Sequence, residues 1–391
     1  MIIGASFLQL PGVKRAKEMG LNVAVLDYDE NAVSIPFADK FYNVSTIDID
    51  GVTKAAEDFK ADGIMTLASD MPMRSVAKAC EKLGLNSISF DTAIKATDKG
   101  EMIKAFKEKG VPSPWFFIAE NEEKLEEIKH EILYPCILKP LDNSGSRGVV
   151  LVNNEKNLIE SFKYSMASSR GAGVIIEEYL QGNEVSVEVI VWDGQVHVLA
   201  ITDKLTTGPP HFVEMGHLQQ SRLSLETKNK IKEVATLAVK SVGIKSGPDH
   251  VEIMVTKDGP KMIELGARMG GDCITTHLVP LSTGIDMIEA TIKCALGEEP
   301  DVTPKFERGS AIRYFNTEKG IIKSISGVEN AKKIDGIKEI TFGKNVGEKL
   351  GSINSSNDRA GFVIAQADTA ENAVKACKDA IEKIKINVAG L

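Results

Sequence analysis

The chain has 391 residues, of which 43% are hydrophobic and 26% charged, a composition typical of a folded globular protein that excludes a collagen-like or wholly disordered chain. At about 150 residues per domain, this length predicts two or three domains. Lys and Arg total 47 against 55 Asp and Glu, for a formal net charge of -8, so we expect neither a nucleic-acid partner nor a membrane-surface partner.

The cysteines and the apolar segments predict a cytoplasmic protein. The five cysteines are widely spaced and form no CxxC pair, which favours reduced thiols in the core over a disulfide framework or a cysteine zinc site. No stretch approaches 18 consecutive apolar residues, and the apolar start MIIGASFLQL lacks a basic n-region, so we expect neither a membrane span nor a signal peptide.

The N-terminal region alternates apolar segments with amphipathic helical patterns. The segments IIGAS, NVAVLDY and GIMTLAS are typical of strands, and a helix is predicted at Met73–Leu83. This alternation predicts a parallel α/β sheet. Asp27 and Asp70 come at the carboxyl ends of its strands, where such sheets bind ligands. Gly12 is the next glycine after Gly4, so the dinucleotide fingerprint is absent and a nicotinamide cofactor is disfavoured.

A polar hairpin follows the proline-containing break at Val111–Pro114. Strand CILK ends at Lys139, the segment PLDNSGSRG links it to strand VVLV, and the tip of the hairpin spans Ser144–Gly148. Small residues let backbone amides approach an anion closely, so this tip is a candidate lid over phosphates. An ordinary polar turn is the alternative. The chain contains no GxxxxGK[ST] sequence, which excludes a P-loop nucleotide site.

The clearest chemical signal is a second hairpin, in which KDG joins HVEIMV to PKMIEL. A three-residue turn at Lys257–Gly259 predicts that Glu252 and Glu264 lie opposite each other, with odd-numbered positions such as Ile263 facing the core. Opposed carboxylates repel, so we expect a cation between them, and Mg²⁺ takes such ligands together with phosphate oxygens. The alternative is that both glutamates are solvent-face residues. Arg268, four residues after Glu264, favours a site.

The ordered set of motifs resembles the ATP-grasp superfamily: Lys99, CILKP with Lys139, DNSGSRG, VIIEEYLQGNE, HVEI and MIELGAR. The segment GARMGGD and the C-terminal region are similar to the L-amino-acid ligases of that superfamily. The resemblance implies a mixed α/β and α+β architecture built on the ATP-grasp fold. The expected domains are a Rossmann-like parallel α/β domain at 1–95, an ATP-grasp domain at 96–300 with a lid subdomain at about 112–182, and an L-amino-acid-ligase-like α+β domain at 301–391.

The resemblance also implies a set of nucleotide contacts. Lys99 and Lys139 would bind the phosphates of ATP. The lid over these phosphates would be formed by Ser144, Gly145, Ser146 and Gly148. The adenine and the ribose would contact Glu177, Glu178, Leu180 and Glu184. Among these, Glu178 and Leu180 would act through backbone groups, and Glu184 would hold the ribose hydroxyls.

Metal and substrate contacts follow from the same resemblance. Glu252 and Glu264 would ligate Mg²⁺, or Mn²⁺ in its place, and Arg268 would join Lys139 as a catalytic group near the transferred phosphate. Many relatives have an asparagine ligand where this chain has Gly266, so a second magnesium would be held by Glu264 and phosphates alone. The segment ITDKLTTGPPHFVEMGH resembles the acceptor region of these ligases, and its expected substrate contacts are Lys204, His211, Glu214 and His217. For the two histidines, exposed positions without a ligand are the alternative.

These expectations describe an ATP-dependent carboxylate–amine ligase. A carboxylate attacks the γ-phosphate of ATP to give an acylphosphate, and an amine then displaces phosphate to form an amide or peptide bond. The expected partners are a small-molecule carboxylate and an amine that resemble amino acids, and a second copy of the chain in a homodimer. Two alternatives stay open: a bicarbonate-activating carboxylase of the same superfamily and a catalytically silent ATP-binding module.

Overall fold

The computed structural model describes residues 1–143, 145, 147–209 and 212–390. Its N-terminal region holds a three-stranded parallel sheet, β1 (Ile2–Ile3), β2 (Ala24–Asp27) and β3 (Lys40–Asn43). The helices around this sheet are α1 (Leu10–Glu18), α2 (Ile49–Phe59), α3 (Met73–Leu83) and α4 (Phe90–Lys95). The prediction for α3 is therefore confirmed at both ends. The predicted strand GIMTLAS is wrong as a full strand, because within the described residues it makes a single bridge, from Met65 to Ile2.

A four-stranded antiparallel sheet forms a separate layer after α5 (Lys99–Glu108), a helix whose N-terminal amides are capped by the Asp98 carboxylate. In spatial order its strands are β4 (Phe116–Ala119), β7 (Val174–Glu178), β5 (Cys136–Pro140) and β6 (Val150–Val152). The helices α6 (Glu122–Ile128) and α7 (Leu158–Ala167) pack with it around Leu125, Leu138 and Phe162. The predicted hairpin of CILK with VVLV is confirmed by the pairing of β5 with β6.

An eight-stranded sheet forms the centre of the molecule. Its first five strands in spatial order are β12 (Gly259–Gly266), β11 (Gly247–Thr256), β8 (Asn183–Trp192), β9 (Gln195–Thr206) and β10 (Glu214–Gln219). Helix α8 (Leu225–Val242) covers one face, and alternate residues of β8 and β11, among them Val187 and Val251, pack against it. Among the side chains of these strands that point away from this core, Ile190 packs in a second hydrophobic cluster, whereas Glu184 and Glu252 line the candidate site described below.

The C-terminal region continues the same sheet. After α9 (Val279–Thr283) and α10 (Met287–Ala295), strand β13 (Gly309–Tyr314) pairs with β10, and β17 (Gly361–Ala367) and β15 (Ile337–Phe342) follow outward. A small second sheet contains β16 (Lys349–Leu350), β14 (Gly320–Ser326) and β18 (Lys385–Ala389). Helices α11 (Val328–Ala331) and α12 (Ala370–Lys383) complete this region. The predicted boundary near residue 300 thus falls between two elements, but the sheet crosses it.

Most of the cysteine side chains lie in the core. All five cysteines are free, and Cys80, Cys136, Cys294 and Cys377 are buried. Within the part of the chain that the structure describes, no helix has both the length and the hydropathy needed to cross a bilayer.

Candidate active site

Glu252 and Glu264 lie directly opposite each other on β11 and β12, but the predicted turn between them was wrong. Thr256 pairs with Gly259, so the turn holds two residues instead of three. With a two-residue turn and regular pairing, Glu252 would face Ile263. The extra residue sits in the strand as a β-bulge at Ile263, and this bulge restores the register that brings the two carboxylates together.

The bulge also changes which side chains enter the core. Met262 and Leu265 are buried in the cluster under α8, whereas Ile263 lines an open cleft. The prediction that Ile263 faces the core was therefore wrong. A one-residue shift of register turns a side chain to the opposite face of a sheet, and the sequence carried no signal for where the extra residue would sit.

The cleft beside the glutamates has a volume of about 940 Å³. It lies between the four-stranded sheet and the central sheet and is lined by side chains from both. The predicted site residues that line it are Lys99, Lys139, Gly145, Glu177, Glu178, Leu180, Glu184, Glu214, Glu252 and Glu264. Residues from distant parts of the sequence are thus brought together in one cleft.

Two lysines are held in this cleft by carboxylates. Lys99 Nζ lies 2.9 Å from Glu264 Oε2 and donates to the carbonyl oxygen of Asn143 at 3.0 Å. Lys139 Nζ lies 2.8 Å from Glu177 Oε2; the Glu177 side chain is buried, and that of Lys139 is 15% exposed. Burial on its own lowers the pKa of Lys139, but the charges of Glu177 and Glu264 raise it above its ordinary value. Both lysines therefore present their amines to the cleft.

Part of the cleft wall is apolar. It is bordered by Tyr179 and Phe212, whose ring centroids lie 6.4 Å apart, and by Leu180 and Met254. The Glu178 side chain is turned to Lys261, at 2.9 Å. A cleft lined by both apolar side chains and lysines matches the division of a nucleotide into a flat base and a charged triphosphate.

The tip of the polar hairpin is described only in part. Ser144 and Ser146 lie outside the described residues, as does His211 in the acceptor segment. Gly145 lines the cleft. Gly148 is buried with a φ of +76°, and a Cβ there would lie 2.6 Å from Ser168 Cβ, so this glycine is required for close packing behind the tip.

Lys204 lies beneath the cleft floor, in contact with three carboxylates. Its Nζ is 2.6 Å from Glu184, 2.9 Å from Glu252 and 3.5 Å from Glu214, and its side chain is only 2% exposed. Burial lowers the pKa of this amine, but the three carboxylates raise it well above the ordinary value. The geometry favours a positioning role for Lys204 over the predicted contact with substrate.

Replacing Lys204 by methionine should leave three carboxylates facing one another without their shared cation. Loss of one partner from a buried ionic group costs about 3–5 kcal/mol, so we expect a decrease of that size in the free energy of unfolding, measured by urea denaturation. The matched control is Lys261→Met, which removes a half-buried lysine with Glu178 as its carboxylate partner and should cost about 1 kcal/mol or less. Equal effects of the two substitutions would contradict this role.

Glu252 is also held by a histidine that the sequence pattern did not identify. His250 Nδ1 lies 3.0 Å from both carboxylate oxygens of Glu188, and its Nε2 lies 3.3 Å from Glu252 Oε1. Burial on its own lowers the pKa of His250, but the two glutamates raise it to about 9. For Glu252 the directions are reversed. Burial on its own raises the pKa of this carboxyl, but Lys204 and His250 hold it well below its ordinary value. Glu252 is thus an oriented, ionised carboxylate.

Arg268 faces a second cavity, which adjoins the cleft. Its guanidinium makes two hydrogen bonds to Asp70, at 2.8 and 3.1 Å. The second cavity has a volume of about 1100 Å³, and Lys99, Asn143 and Glu264 line both it and the first cleft. We call the first the nucleotide cleft and the second the Arg268 chamber. The two spaces meet where the predicted phosphate-binding groups lie.

Gly266 permits the close approach of Asp70 to Arg268. A Cβ at Gly266 would lie 2.6 Å from Asp70 Oδ1 and 3.1 Å from Arg268 Cζ. Real Cβ atoms essentially never come within 3.0 Å of another atom, so the contact with Asp70 Oδ1 would force the carboxylate to move. The absence of an asparagine side chain at this position therefore has a structural reason, since the Asp70 carboxylate occupies the adjacent space.

Gly266→Ala should displace Asp70 from Arg268. Overpacking at a filled site costs about 1–3 kcal/mol, and we expect kcat/KM for the acid substrate to fall by roughly 10-fold as the guanidinium loses its orientation. The matched control is Gly271→Ala in the same segment, where a Cβ meets nothing within 4 Å. Steady-state kinetics and thermal unfolding of both variants test this, and wild-type behaviour of Gly266→Ala would contradict it.

His217 is buried and faces the C-terminal region. Its Nε2 lies 3.2 Å from Asp272 Oδ2, and Arg359 makes two hydrogen bonds of 2.7 Å to the same carboxylate. Arg359 also donates to the backbone carbonyl of Glu214 at 3.0 Å and stacks on the ring of Tyr314. The alternative that His217 is an exposed polar residue is wrong, since its side chain is 1% exposed.

The carboxylates of the hairpin suit a metal that is shared with a phosphate. Among the residues that the structure describes, no group of three or more His, Cys, Asp and Glu side chains forms a metal site by itself. Glu252 and Glu264 instead each hold a lysine ammonium at 2.9 Å, which shows that cations are stabilised at both. Mg²⁺ commonly binds through one or two carboxylates plus substrate phosphates, so these residues fit Mg²⁺ in that form.

Comparisons with known proteins agree with this geometry. A family profile described as an ATP-grasp domain matches residues 132–276, and one described as L-amino acid ligase C-terminal domain 2 matches residues 313–389. The alanine–anticapsin ligase of Bacillus subtilis is 32% identical over 278 residues, which cover 65% of this chain and 58% of that protein. The chain thus spans little more than half the length of this relative.

Two solved structures are similar over almost the whole chain. The L-amino acid ligase of Bacillus licheniformis superposes with a TM-score of 0.85 at 25% identity, covering 100% of this chain and 98% of that one. A phosphoribosylglycinamide synthetase of Anaerococcus prevotii superposes with a TM-score of 0.81 at 26% identity, covering 99% and 98%. Enzymes of the ATP-grasp type use ATP and Mg²⁺. The chain therefore has the ATP-grasp fold, with an ATP-grasp domain at residues 132–276 and an L-amino acid ligase C-terminal domain at residues 313–389.

Proposed function

We propose that this chain is an ATP-dependent ligase that joins a small carboxylic acid to an amine through an acylphosphate, releasing ADP and phosphate, on substrates that resemble amino acids. One observation carries the proposal. The nucleotide cleft and the Arg268 chamber meet at Lys99 and Glu264, which line both. A carboxylate bound in the chamber therefore lies next to the phosphate end of a nucleotide in the cleft, which is the arrangement that phosphoryl transfer needs.

The proposed nucleotide lies with its base at Leu180 and its ribose at Glu184. The Glu178 backbone N–H donates to the carbonyl of Trp115 at 3.0 Å, so its contact with the base would use the carbonyl. The phosphates then run along Lys139 and Lys99, under Gly145 and the neighbouring tip residues. Glu252 and Glu264 would hold Mg²⁺ against the phosphates, where the ion supplies positive charge that stabilises the phosphoryl transfer.

The proposed reaction has two steps. In the first, a carboxylate oxygen of the acid attacks the γ-phosphorus, the bond from phosphorus to the bridging oxygen breaks, and ADP leaves. Lys99 and Lys139 stabilise the charge that moves onto the ADP oxygens. In the second, the amine nitrogen attacks the carbonyl carbon, the carbon–oxygen bond to phosphate breaks, and the nitrogen gives up a proton to solvent. Arg268, held by Asp70, stabilises the oxyanion that forms at that carbon.

The remaining predicted residues take supporting roles in this proposal. Glu214 lines the nucleotide cleft and is proposed to contact the amine, together with His211. His217 and Lys204 act through the groups that they orient. The proposed domains remain 1–95, 96–300 with its lid at about 112–182, and 301–391, where the C-terminal domain supplies Arg359 to the acceptor side of the site.

A phosphate-release screen tests the proposed function. Purified protein with ATP and Mg²⁺ is incubated with pairs of carboxylic acids and amines, and ADP, phosphate and the amide are measured together. We expect ADP release that requires both substrates and equals the amide formed. Bicarbonate-stimulated ATP turnover without an amine would instead identify a carboxylase, and nucleotide binding without turnover under any condition would identify a silent module. Repeating the active pair with Mn²⁺ tests whether it replaces Mg²⁺.

A further inference from the structure

The charges of the Arg268 chamber carry information about the acid substrate. Three arginines line this chamber: Arg74, Arg170 and Arg268. Arg268 is neutralised by the two oxygens of Asp70. The second aspartate of the chamber, Asp142, accepts hydrogen bonds from the backbone N–H of Arg170 and from Ser169 Oγ, each at 2.9 Å. Both aspartates of the chamber therefore already have hydrogen-bond partners other than the guanidinium groups of Arg74 and Arg170.

Arg74 and Arg170 have no carboxylate at salt-bridge distance within the described part of the chain. Arg74 lies in the first turn of α3, and its Nε donates to Thr97 Oγ1 at 2.7 Å. That bond fixes the side chain and leaves the two terminal nitrogens of the guanidinium for another partner. The Arg170 guanidinium reaches the chamber from the four-stranded layer and contacts Met71 Sδ. A guanidinium always carries its charge in a protein, and it binds planar anions through paired hydrogen bonds.

A simple monocarboxylic acid would not use these groups. Its single carboxylate must lie at the junction with the nucleotide cleft, near Glu264 and Lys99, because transfer occurs there. Besides these charged groups, the chamber is lined by apolar side chains, among them Ile47, Ile49 and Met102. A hydrocarbon segment can pack on these side chains while a second anionic group reaches Arg74.

We infer that the acid substrate carries a second acidic group, a carboxylate or a phosphate, that binds to Arg74, with Arg170 closing over it. This inference rests on the proposed ligase function and narrows its substrate class to dianionic acids. The first carboxylate of the substrate is phosphorylated and then joined to the amine. The second acidic group stays unchanged throughout and serves only to place the first.

The test compares matched acids that differ by one acidic group, at fixed ATP, Mg²⁺ and amine. The pairs are propionate with succinate, alanine with aspartate and with glutamate, and glycerate with 3-phosphoglycerate. We expect kcat/KM to favour the dianionic member of at least one pair by 10- to 100-fold, about the effect of one charge-assisted, bidentate contact. The carboxylate and phosphate arms identify which second group is bound.

Variants of Arg74 test whether the preference for dianionic acids depends on this residue. Arg74→Met should raise KM for the preferred dianionic acid by 10- to 100-fold, with a smaller effect on kcat and no change in the KM of ATP, and Arg74→Lys should restore part of the loss. The control is Arg308→Met, which removes an exposed arginine paired with Asp368 and should leave all these values unchanged. Thermal unfolding of each variant separates a folding defect from a binding defect, and Arg74→Lys carries the test if Arg74→Met is unstable.

The outcomes separate the inference from the proposed function. If no acid and amine together release ADP with an amide, the ligase proposal fails. If amide forms equally well from both members of every pair and Arg74→Met has wild-type KM values, the ligase proposal stands and the inference is overturned. A change in the KM of the amine alone would also overturn it, because the anion would then belong to the second substrate.

Discussion

Glu264→Gln should abolish most of the turnover of this protein while leaving nucleotide binding largely in place. The substitution keeps the shape of the side chain and removes its charge at the junction of the nucleotide cleft and the Arg268 chamber. We expect kcat to fall by about 10²- to 10³-fold, the usual effect of losing one electrostatic group that stabilises a transition state. The dissociation constant of an ATP analogue should change by about threefold or less, since the apolar part of the cleft wall is untouched.

The matched control is Glu178→Gln in the same cleft. Glu178 is ion-paired to Lys261, and only its backbone has a role in the proposed nucleotide contact. Turnover by this variant should stay within about twofold of wild type. Retention of both turnover and nucleotide affinity by Glu264→Gln would exclude the proposed metal ligand, whereas loss of both to the same extent would favour a purely nucleotide-binding role for this cleft.

Loss of Arg359 should have the second largest effect, on both stability and substrate affinity. The Arg359 side chain is 9% exposed. Its guanidinium makes two hydrogen bonds to Asp272 and donates a third to the backbone carbonyl of Glu214. Arg359→Met leaves the partly buried Asp272 without its main partner, which should cost about 3 kcal/mol of unfolding free energy. Because the bond to the Glu214 carbonyl is also lost, we expect KM for the amine to rise by roughly 10-fold.

A double-mutant cycle that combines Arg359→Met with Asp272→Asn measures the coupling free energy between these two side chains. The double variant should be more stable than the sum of the single effects indicates, because neither partner is then left unpaired. If the effects of the two substitutions simply add, the pair does not couple the C-terminal region to the site. Arg308→Met in the same region, whose partner Asp368 is exposed, is the control and should be nearly neutral.

The ion pair of Arg359 with Asp272 also makes the free energy of unfolding depend on pH. Burial on its own raises the pKa of Asp272, but hydrogen bonds from Arg359 and His217 hold it well below its ordinary value of 3.8. Stability from a lowered carboxylate pKa is fully present above the unfolded value and is lost as the pH falls through the folded value. In urea denaturation from pH 7 to pH 2, the stability advantage of wild type over Asp272→Asn should stay constant down to about pH 4 and shrink below it. A constant advantage throughout would contradict this ionisation.

Local patterns predicted much of the fold and the facing glutamates. Alternating segments predicted the parallel sheet, and the spacing of apolar residues predicted α3 at both ends. The opposition of Glu252 and Glu264 followed from strand periodicity. The position of the bulge did not, because a two-residue turn followed by a bulge and a three-residue turn both satisfy the same parity. Strand periodicity fixes which residues share a face only where the register is regular.

The groups that position the site were not predictable from local patterns. Asp70 and Arg268 are 198 residues apart, and Asp272 and Arg359 are 87 apart. Such pairs form only when separate elements pack together, and no spacing rule connects them. Nothing in the sequence around Arg74 distinguishes it from other arginines on helices. Only the packing around the chamber shows that Arg74 has no carboxylate partner within the described residues.

The most direct test of the account is a crystal structure of the protein with Mg²⁺ and a non-hydrolysable ATP analogue. We expect a metal ion bound by a carboxylate oxygen of both Glu252 and Glu264 at about 2.0–2.1 Å, with Lys99 and Lys139 on the phosphates and the base beside Leu180. Electron density for a nucleotide elsewhere, with Glu264 still on Lys99 and Glu252 still on Lys204, would contradict it.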